Sequence, residues 1–206
     1  MSDLNLSFPE LKFREVDHTY WLNGVYCPGV SQIMKPLSDS VYRTVDPVAL
    51  NYAANRGSAV HEAVENFHKY GIKDCVPEYE AYFNAYIEWY KAFRAEVIAN
   101  EIQLYNRTYR YAGTADILAR IKGELWLIDM KTTSTLNHML TSVQLVAYNA
   151  ALASHGIKTD RKGILLLKKD GKFVFDEAQK KDDDEAWTTF GALMTVYQHI
   201  ERYKKG

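Results

Sequence analysis

The feature that most constrains the fold is a strand pattern in the middle of the chain that ends in two opposite charges. A nearly unbroken apolar run, Leu125–Ile128, leads into Asp129, Met130 and Lys131. Such a run is typical of a strand that is buried on both faces of a sheet. Asp129 and Lys131 are two residues apart, so their side chains lie on the same face. Because a buried charge without a partner is unfavourable, the pattern predicts an interior strand with a charged, functional end.

The N-terminal part predicts a β-hairpin and a short helix. Residues 11–16 and 18–22 have strand-like sequences, and Asn23-Gly24 is a typical turn before a further short strand. Ser31 is a candidate cap for a helix, and we expect Pro36 to stop that helix after little more than a turn.

A second helical region follows the hairpin. Asp46-Pro47 is typical of a helix start, since aspartate caps the first turn and proline fits the first helical position. We expect Gly57 to interrupt or bend this helix before it continues over residues 59–70. Aromatic residues then recur at helical spacing over residues 77–100, which predicts a helix that packs on the core.

The rest of the chain predicts a sheet with helices around it. We expect β-rich runs to begin at Glu101, with Lys122-Gly123-Glu124 as the turn between the second and third strands of a meander. The predicted strands span 102–108, 114–121, 125–130, 163–168 and 172–175, and the predicted helices span 138–154 and 184–203. The fold class is therefore α/β or α+β, with a central mixed β-sheet flanked by helices, in one domain of residues 1–206.

Composition narrows the class of protein. The chain has 206 residues, of which 47% are hydrophobic and 25% are charged, as in an ordinary globular protein. No apolar run approaches the roughly 20 residues that cross a bilayer, and no export signal begins the chain, so we expect no membrane partner and a cytoplasmic location. The formal net charge of -1 argues against a protein that coats nucleic acid.

Two cofactor classes are excluded by the sequence. Cys27 and Cys75 are its two cysteines, so the chain has no four-cysteine iron-sulfur cluster or zinc site. It has no GxxxxGK[ST] phosphate loop either, so we expect no ATP-driven activity.

Phosphodiester hydrolysis explains the charged residues of the meander. Asp116 and Asp129 would supply the carboxylates that Mg²⁺ prefers, and the main-chain carbonyl of Met130 is a further candidate ligand. Lys131 would orient or deprotonate the attacking water, or offset negative charge on the phosphate. The alternative is a structural ion pair between Lys131 and the carboxylates.

These residues resemble the core of the PD-(D/E)XK nuclease superfamily. Asp129-Met-Lys131 matches its (D/E)-x-K element, and Gly113-Thr-Ala-Asp116 contains the preceding aspartate. Together with Gln144-Leu-Val-Ala-Tyr148 and Arg56-Gly-Ser-Ala-Val-His61, they resemble the successive motifs of the RecB-like exonuclease branch. The hairpin before Pro28 resembles mitochondrial genome maintenance exonucleases and similar phage proteins. The resemblance implies a restriction-endonuclease-like core.

The resemblance also implies roles for residues outside the strand pair. His61 would add a metal ligand that suits Mn²⁺, although a histidine at this position also fits a helix surface or a core. Glu101 is either a further acidic group near the metal or a solvated charge. Gln144 and Tyr148 would contact the substrate strand or support Lys131, or form a partly buried polar pair. Arg56 is a candidate phosphate contact.

A basic cluster lies near the second hairpin. It would either follow a DNA backbone or form a solvated face, and it consists of Lys158, Arg161, Lys162, Lys168, Lys169 and Lys172.

The function that the resemblance implies is a phage-type DNA exonuclease that uses one or two Mg²⁺ or Mn²⁺ ions in recombination, repair or replication. Its substrate would be single-stranded DNA or DNA with free ends, and a single-strand annealing or other recombination protein would be its companion. The setting would be a bacterial or phage-infected host cytosol. The alternatives are a structure-specific or nicking endonuclease on the same core, and an inactive DNA-binding or scaffold protein.

Overall fold

The computed structural model describes residues 4–204 of the chain. These residues contain eight β-strands and five α-helices. In chain order the elements are β1 (Leu11–Arg14), β2 (Thr19–Leu22), β3 (Val25–Cys27), α1 (Val30–Val41), α2 (Pro47–Tyr70), α3 (Glu80–Phe93), β4 (Glu96–Tyr105), β5 (Ala112–Ile121), β6 (Glu124–Lys131), α4 (His138–Ser154), β7 (Arg161–Leu167), β8 (Phe173–Glu177) and α5 (Asp183–Lys204). The expectation about an export signal falls partly on residues 1–3, which lie outside the described residues. Among the helices described, none is both long and apolar enough to cross a bilayer.

The central sheet has five strands in the order β4-β5-β6-β7-β8. The strands β4, β5 and β6 form an antiparallel meander, β7 is parallel to β6, and β8 is antiparallel to β7. The parallel pair requires a crossover, which α4 provides. Helices α1, α4 and α5 cover one face of the sheet, and α2 and α3 cover the other. The predicted central mixed sheet flanked by helices is therefore confirmed.

The turn between β5 and β6 fixes the register of the functional strands. Lys122 and Gly123 have φ angles of 52° and 86°, and positive φ at both central residues is the conformation of the tight hairpin turns that match strand twist. The pairing runs from Ile121 opposite Glu124 to Ile117 opposite Ile128. The next residue on each strand is an aspartate, so the turn places the two aspartates side by side.

A small antiparallel sheet of β1, β2 and β3 packs beside the central sheet. Its second turn has positive φ at Asn23 and Gly24, as the sequence predicts. The small sheet shares a buried cluster with Tyr105 and Ala112, which belong to β4 and β5. This contact holds the N-terminal hairpin at the side of the central sheet where the two aspartates lie.

Two predicted helix interruptions do not occur. Helix α1 begins after Gly29 and continues through Pro36; Pro36 lies on the exposed side, and buried Ile33 and Met34 hold the helix against the core. Helix α2 runs without a break through Gly57. A glycine in a helix interior costs only about 1 kcal/mol relative to alanine, and the packed second half of α2 outweighs that cost.

The start of the meander also differs from the prediction. Helix α3 ends at Phe93, and β4 begins at Glu96 rather than near residue 102. The reason is pairing with a distant segment, since Glu96 already lies opposite Arg120 of β5. Glu101 consequently lies inside β4 and not at its start.

Candidate active site

The two predicted acidic residues, Asp116 and Asp129, meet where the pairing of β5 with β6 ends. Asp116 and Asp129 are both buried, with 8% and 2% of their surface exposed. One oxygen of Asp116, Oδ2, accepts a 2.7 Å hydrogen bond from the backbone N–H of Met130. This bond fixes the Asp116 carboxylate against β6, between the two strands, and leaves its Oδ1 to face the neighbouring side chains.

Lys131 is held by a chain of polar contacts. Its Nζ lies 2.7 Å from both carboxylate oxygens of Asp129 and donates a 3.1 Å hydrogen bond to Gln144 Oε1. The amide nitrogen of Gln144 donates a long, 3.5 Å hydrogen bond to the hydroxyl of Tyr148. Gln144 and Tyr148 lie one turn apart on α4, so this helix positions the lysine.

A second set of ligand-type atoms lies around His61. Its Nδ1 is 2.7 Å from Glu101 Oε1 and 4.0 Å from Asp116 Oδ1. Its Nε2 is 3.3 Å from the carbonyl oxygen of Met130. One ligand atom from each of His61, Glu101 and Asp116 lies within 4.8 Å of the others, as in a metal-binding cluster. The structure thus brings together four predicted ligand groups: His61, Glu101, Asp116 and the carbonyl of Met130.

The backbone at Glu101 is unusual. Its φ angle is 48°, within a β-strand, a region that residues with a Cβ rarely adopt. Asn100 pairs with Ile117 and Ile102 pairs with Ala115, so Glu101 lies opposite Asp116. A positive φ at such a residue costs on the order of 1–3 kcal/mol, and costs of this kind concentrate at functional sites.

Burial and charge shift the pKa values of the cluster strongly. Burial raises the pKa of Asp129 to about 6, and it also raises the pKa of Asp116. Burial would lower the pKa of His61, but Asp116 and Glu101 outweigh it and raise that pKa to about 9. Burial likewise opposes the charge on Lys131, whose pKa is nevertheless raised by Asp129 and Asp116. A cation bound at this cluster would therefore stabilise the ionised carboxylates.

The residues present fit a divalent metal ion. Mg²⁺ and Mn²⁺ prefer oxygen ligands, and Mn²⁺ also accepts imidazole. Asp116, Glu101, His61 and the Met130 carbonyl provide that donor set. Asp129 is buried beside this donor set, and Lys131 Nζ lies 2.7 Å from both of its carboxylate oxygens, so the ammonium supplies the counter-charge for this carboxylate.

These groups open into a cleft of about 590 Å³. Its lining includes five of the predicted residues, namely His61, Glu101, Asp116, Gln144 and Tyr148. A smaller cavity of about 190 Å³ lies on the other side of Gln144 and is lined by Lys131. The predicted site residues therefore line two adjoining cavities, and Gln144 lines both of them.

Arg56 lies beside the site but does not line either cavity. Its guanidinium lies over the rings of Tyr52 and Tyr82, at 5.7 and 5.2 Å from their centroids. Its Nε donates a weak 3.4 Å hydrogen bond to Thr132 Oγ1, directly after Lys131. Arg56 therefore contacts the residue that follows Lys131, and its predicted role as a phosphate contact stays a prediction.

The basic cluster does not form one free surface. Lys162 is buried and pairs with Asp183, and Arg161 pairs with Glu124 and Glu177. None of the six basic residues lines the cleft within the described chain.

Three aromatic residues of the cleft were missed by the sequence reasoning. Phe13, His18 and Tyr20 belong to the N-terminal hairpin and line the same cleft as His61, Glu101 and Asp116. Phe13 and Tyr20 are directly paired across β1 and β2. The alternation of the hairpin predicts that these two share a face, but it does not say which part of the protein that face meets.

The comparisons with known proteins are as follows. A family model described as the PD-(D/E)XK nuclease superfamily matches residues 79–203, which is more than half of the chain. A solved protein called SSO0001 is similar with 16% sequence identity and a TM-score of 0.45, covering 83% of this chain and 74% of that one. An alkaline exonuclease (LHK-Exo) from Laribacter hongkongensis is similar with 14% identity and a TM-score of 0.42, covering 85% and 88%. Its complex with dAMP has 14% identity and a TM-score of 0.41, covering 87% and 91%. The curated proteins gave no match.

Proposed function

The chain belongs to the PD-(D/E)XK nuclease superfamily, and from this premise we propose that it is a DNA exonuclease that depends on Mg²⁺ or Mn²⁺. The observation that carries the proposal is the meeting of Asp116, Asp129 and Lys131 where the pairing of β5 with β6 ends, with His61 and Glu101 beside Asp116. An inactive relative would have no reason to retain this set of charges at a buried, costly position.

Each residue has a distinct role in the proposed reaction. Asp116, Glu101, His61 and the Met130 carbonyl would hold the metal, with Asp129 Oδ2 as a further oxygen donor. When bound, the metal would supply Lewis-acid chemistry by polarising the scissile phosphate and acidifying a water molecule.

Lys131 would act on the phosphate from beside the metal ligands. Its ammonium is held between Asp129 and Gln144, so it would offset negative charge that develops on the phosphate or orient the attacking water. Tyr148 and Gln144 would keep the ammonium in place or contact the substrate strand.

The setting that we propose is DNA recombination, repair or replication in a bacterial or phage-infected cytosol. It is supported by the resemblance of the motif order to the RecB-like branch and of the hairpin to phage proteins. A single-strand annealing protein or another recombination protein would be the companion, since such proteins use the strands that an exonuclease exposes.

Purified protein with Mg²⁺ or Mn²⁺ tests the reaction type on three substrates: a covalently closed circle, a linear duplex and a single strand labelled at either end. We expect degradation to require an end, and the position of the label then gives the polarity. Cleavage of the circle would replace the exonuclease by an endonuclease. If none of the three substrates is cleaved, the nuclease proposal fails and an inactive DNA-binding protein becomes the favoured interpretation.

Two substitutions test the site itself. We expect Asp129→Asn and Lys131→Ala each to lower the cleavage rate by at least about 100-fold, the size of the loss when one transition-state contact is removed. The matched controls are Asp176→Asn and Lys169→Ala, which change the same residue types on the exposed surface. Circular dichroism and thermal unfolding verify that each variant folds. Retained cleavage in both site variants would show that the residues form only a structural ion pair.

A further inference from the structure

One wall of the cleft is aromatic, and the proposed reaction does not use it. The ring centroid of Phe13 is 4.9 Å from that of His18 and 4.9 Å from that of Tyr20. Phe13 is half-buried and His18 is exposed, whereas Tyr20 is buried behind them. Two of the three side chains therefore offer ring surface to a molecule in the cleft.

This wall is tied to the catalytic strand. The hydroxyl of Tyr20 lies 2.9 Å from Thr114 Oγ1, within hydrogen-bond distance. Thr114 precedes Asp116 by two residues on β5, so both side chains lie on one face, about 7 Å apart along the strand. A part of a ligand that contacts the aromatic wall would therefore lie close to a phosphate group bound at Asp116.

The hairpin that carries the wall is internally braced. Arg14 forms an ion pair with Asp17, and Thr19 Oγ1 donates a 2.8 Å hydrogen bond to Asp17 Oδ1. The guanidinium of Arg14 also lies 5.5 Å from the centre of the Trp21 ring. These contacts close the connection between β1 and β2, so the rings are presented from a defined surface.

The charges of the cleft indicate how a strand would bind there. Among its described lining residues, five carry carboxylates and none is lysine or arginine; the five are Glu15, Glu62, Glu65, Glu101 and Asp116. Carboxylates repel a phosphate backbone wherever no metal intervenes. Away from a bound metal ion, nucleic acid must therefore gain affinity in this cleft from a contact other than charge.

We propose that Phe13 and His18 form a base-binding subsite, which stacks an unpaired nucleobase of the DNA strand that is being cut. This inference rests on the proposed nuclease function and extends it to the choice of substrate. Stacking on aromatic rings tolerates every base, because each base has a π-face. In a duplex the base faces are already stacked within the helix, so the wall selects single-stranded DNA.

Binding to strands with and without bases tests the subsite. The probes are a fluorescein-labelled oligo-dT strand and the same strand with each base replaced by an abasic tetrahydrofuran residue. Dissociation constants are measured by fluorescence anisotropy with Mg²⁺ in the Asp129→Asn background, which stops cleavage. We expect oligo-dT to bind at least about fivefold more tightly than the abasic strand, the lower end of the effect of stacking one base.

Variants of the wall should remove this difference. We expect Phe13→Leu, which keeps an apolar side chain, to weaken oligo-dT binding about fivefold and to leave the abasic strand unaffected. Phe13→Trp should retain the preference for bases. His18→Ala, at an exposed residue, should reduce that preference without affecting folding. Val16→Ala is the matched control, because Val16 belongs to the same hairpin, is 96% exposed and does not line the cleft.

The outcomes separate the subsite from the nuclease function. Equal binding of the two strands, or equal weakening of both by Phe13→Leu and His18→Ala, would overturn the subsite. If the protein with intact Asp129 degrades oligo-dT and the abasic strand at equal rates, the subsite also fails and the nuclease remains. If the strands bind with the expected difference but are not cut, the nuclease proposal fails and the subsite remains.

Discussion

Replacing Gly113 with alanine would place a methyl carbon against the ring of Tyr148. An ideal Cβ at residue 113 would lie 2.6 Å from Tyr148 Cε1 and 3.3 Å from Val30 Cγ2. Non-bonded carbon atoms pack at about 3.5–4.0 Å, so the ring would have to move by roughly 1 Å. Both neighbours are buried, and overpacking of this kind costs about 1–3 kcal/mol of unfolding free energy.

The displaced ring would also disturb the site. Tyr148 accepts a hydrogen bond from Gln144 that is already 3.5 Å long, and Gln144 in turn holds Lys131. Because a shift of about 1 Å in a positioning residue can lower a rate by as much as about 100-fold, we expect Gly113→Ala to lower kcat by at least about tenfold.

Thermal unfolding followed by circular dichroism measures the effect on stability. For a chain of this length, about 1 kcal/mol changes Tm by roughly 2–4 °C, so we expect Gly113→Ala to lower Tm by about 2–12 °C. Gly191→Ala is the matched control. Gly191 lies in α5 with no atom within 4 Å of an added Cβ, and alanine favours a helix by about 1 kcal/mol. This control should raise Tm slightly.

A double-mutant cycle with Tyr148→Ala isolates the contact. If the new methyl meets the tyrosine ring, Gly113→Ala should cost at least about 1 kcal/mol less in the Tyr148→Ala background than in the original protein. Additive effects of the two substitutions would refute the reasoning, as would an unchanged Tm in Gly113→Ala.

Three further predictions concern histidines and the strained glutamate. In His61→Ala, cleavage should require at least about tenfold more metal, since ligand-sphere changes lower metal affinity on this scale; a metal titration with unchanged half-saturation would show that His61 is not a ligand. The unfolding free energy of Glu101→Gly, measured in urea, should be about 1 kcal/mol higher than that of Glu101→Ala, because only glycine adopts a φ of 48° without penalty; equal unfolding free energies would argue against backbone strain. Burial lowers the pKa of His68, whose Nε2 lies 2.6 Å from the Tyr86 hydroxyl. The stability that the buried, neutral His68 contributes is therefore fully present above the unfolded pKa of about 6.5, and it is lost as the pH falls through the lowered pKa of the folded state. Tm should consequently fall less steeply between about pH 7 and pH 5 in His68→Gln than in the original protein or in the exposed His199→Gln control.

Much of the fold follows from local sequence patterns. Turns occur at Asn23-Gly24 and Lys122-Gly123, where the sequence predicts them, and both central residues of each turn have positive φ angles. The apolar run before Asp129 lies in an interior strand, and the helix predicted over residues 138–154 has those bounds. These features depend on residues that are close in the chain, and their periodicity is therefore visible in the sequence.

The errors occur where distant contacts override local preference. Pro36 and Gly57 discourage a helix locally, but packing against the core maintains α1 and α2 through them. Residues 96–100 belong to the predicted helical region, yet they pair with β5 and form the start of β4. Tertiary packing contributes more free energy than the local preference of a single residue.

Local patterns in the sequence predicted the antiparallel meander, the shared face of Asp129 and Lys131 on an interior strand, and the candidate residues around them. The tertiary structure alone decided which candidates meet. It brings Glu101 to His61 through a strand with one residue at positive φ, places Arg56 against Thr132, and brings the aromatic residues of the N-terminal hairpin into the lining of the cleft. Side-chain direction along a strand follows from a two-residue period, whereas contacts between elements dozens of residues apart depend on how the whole chain packs.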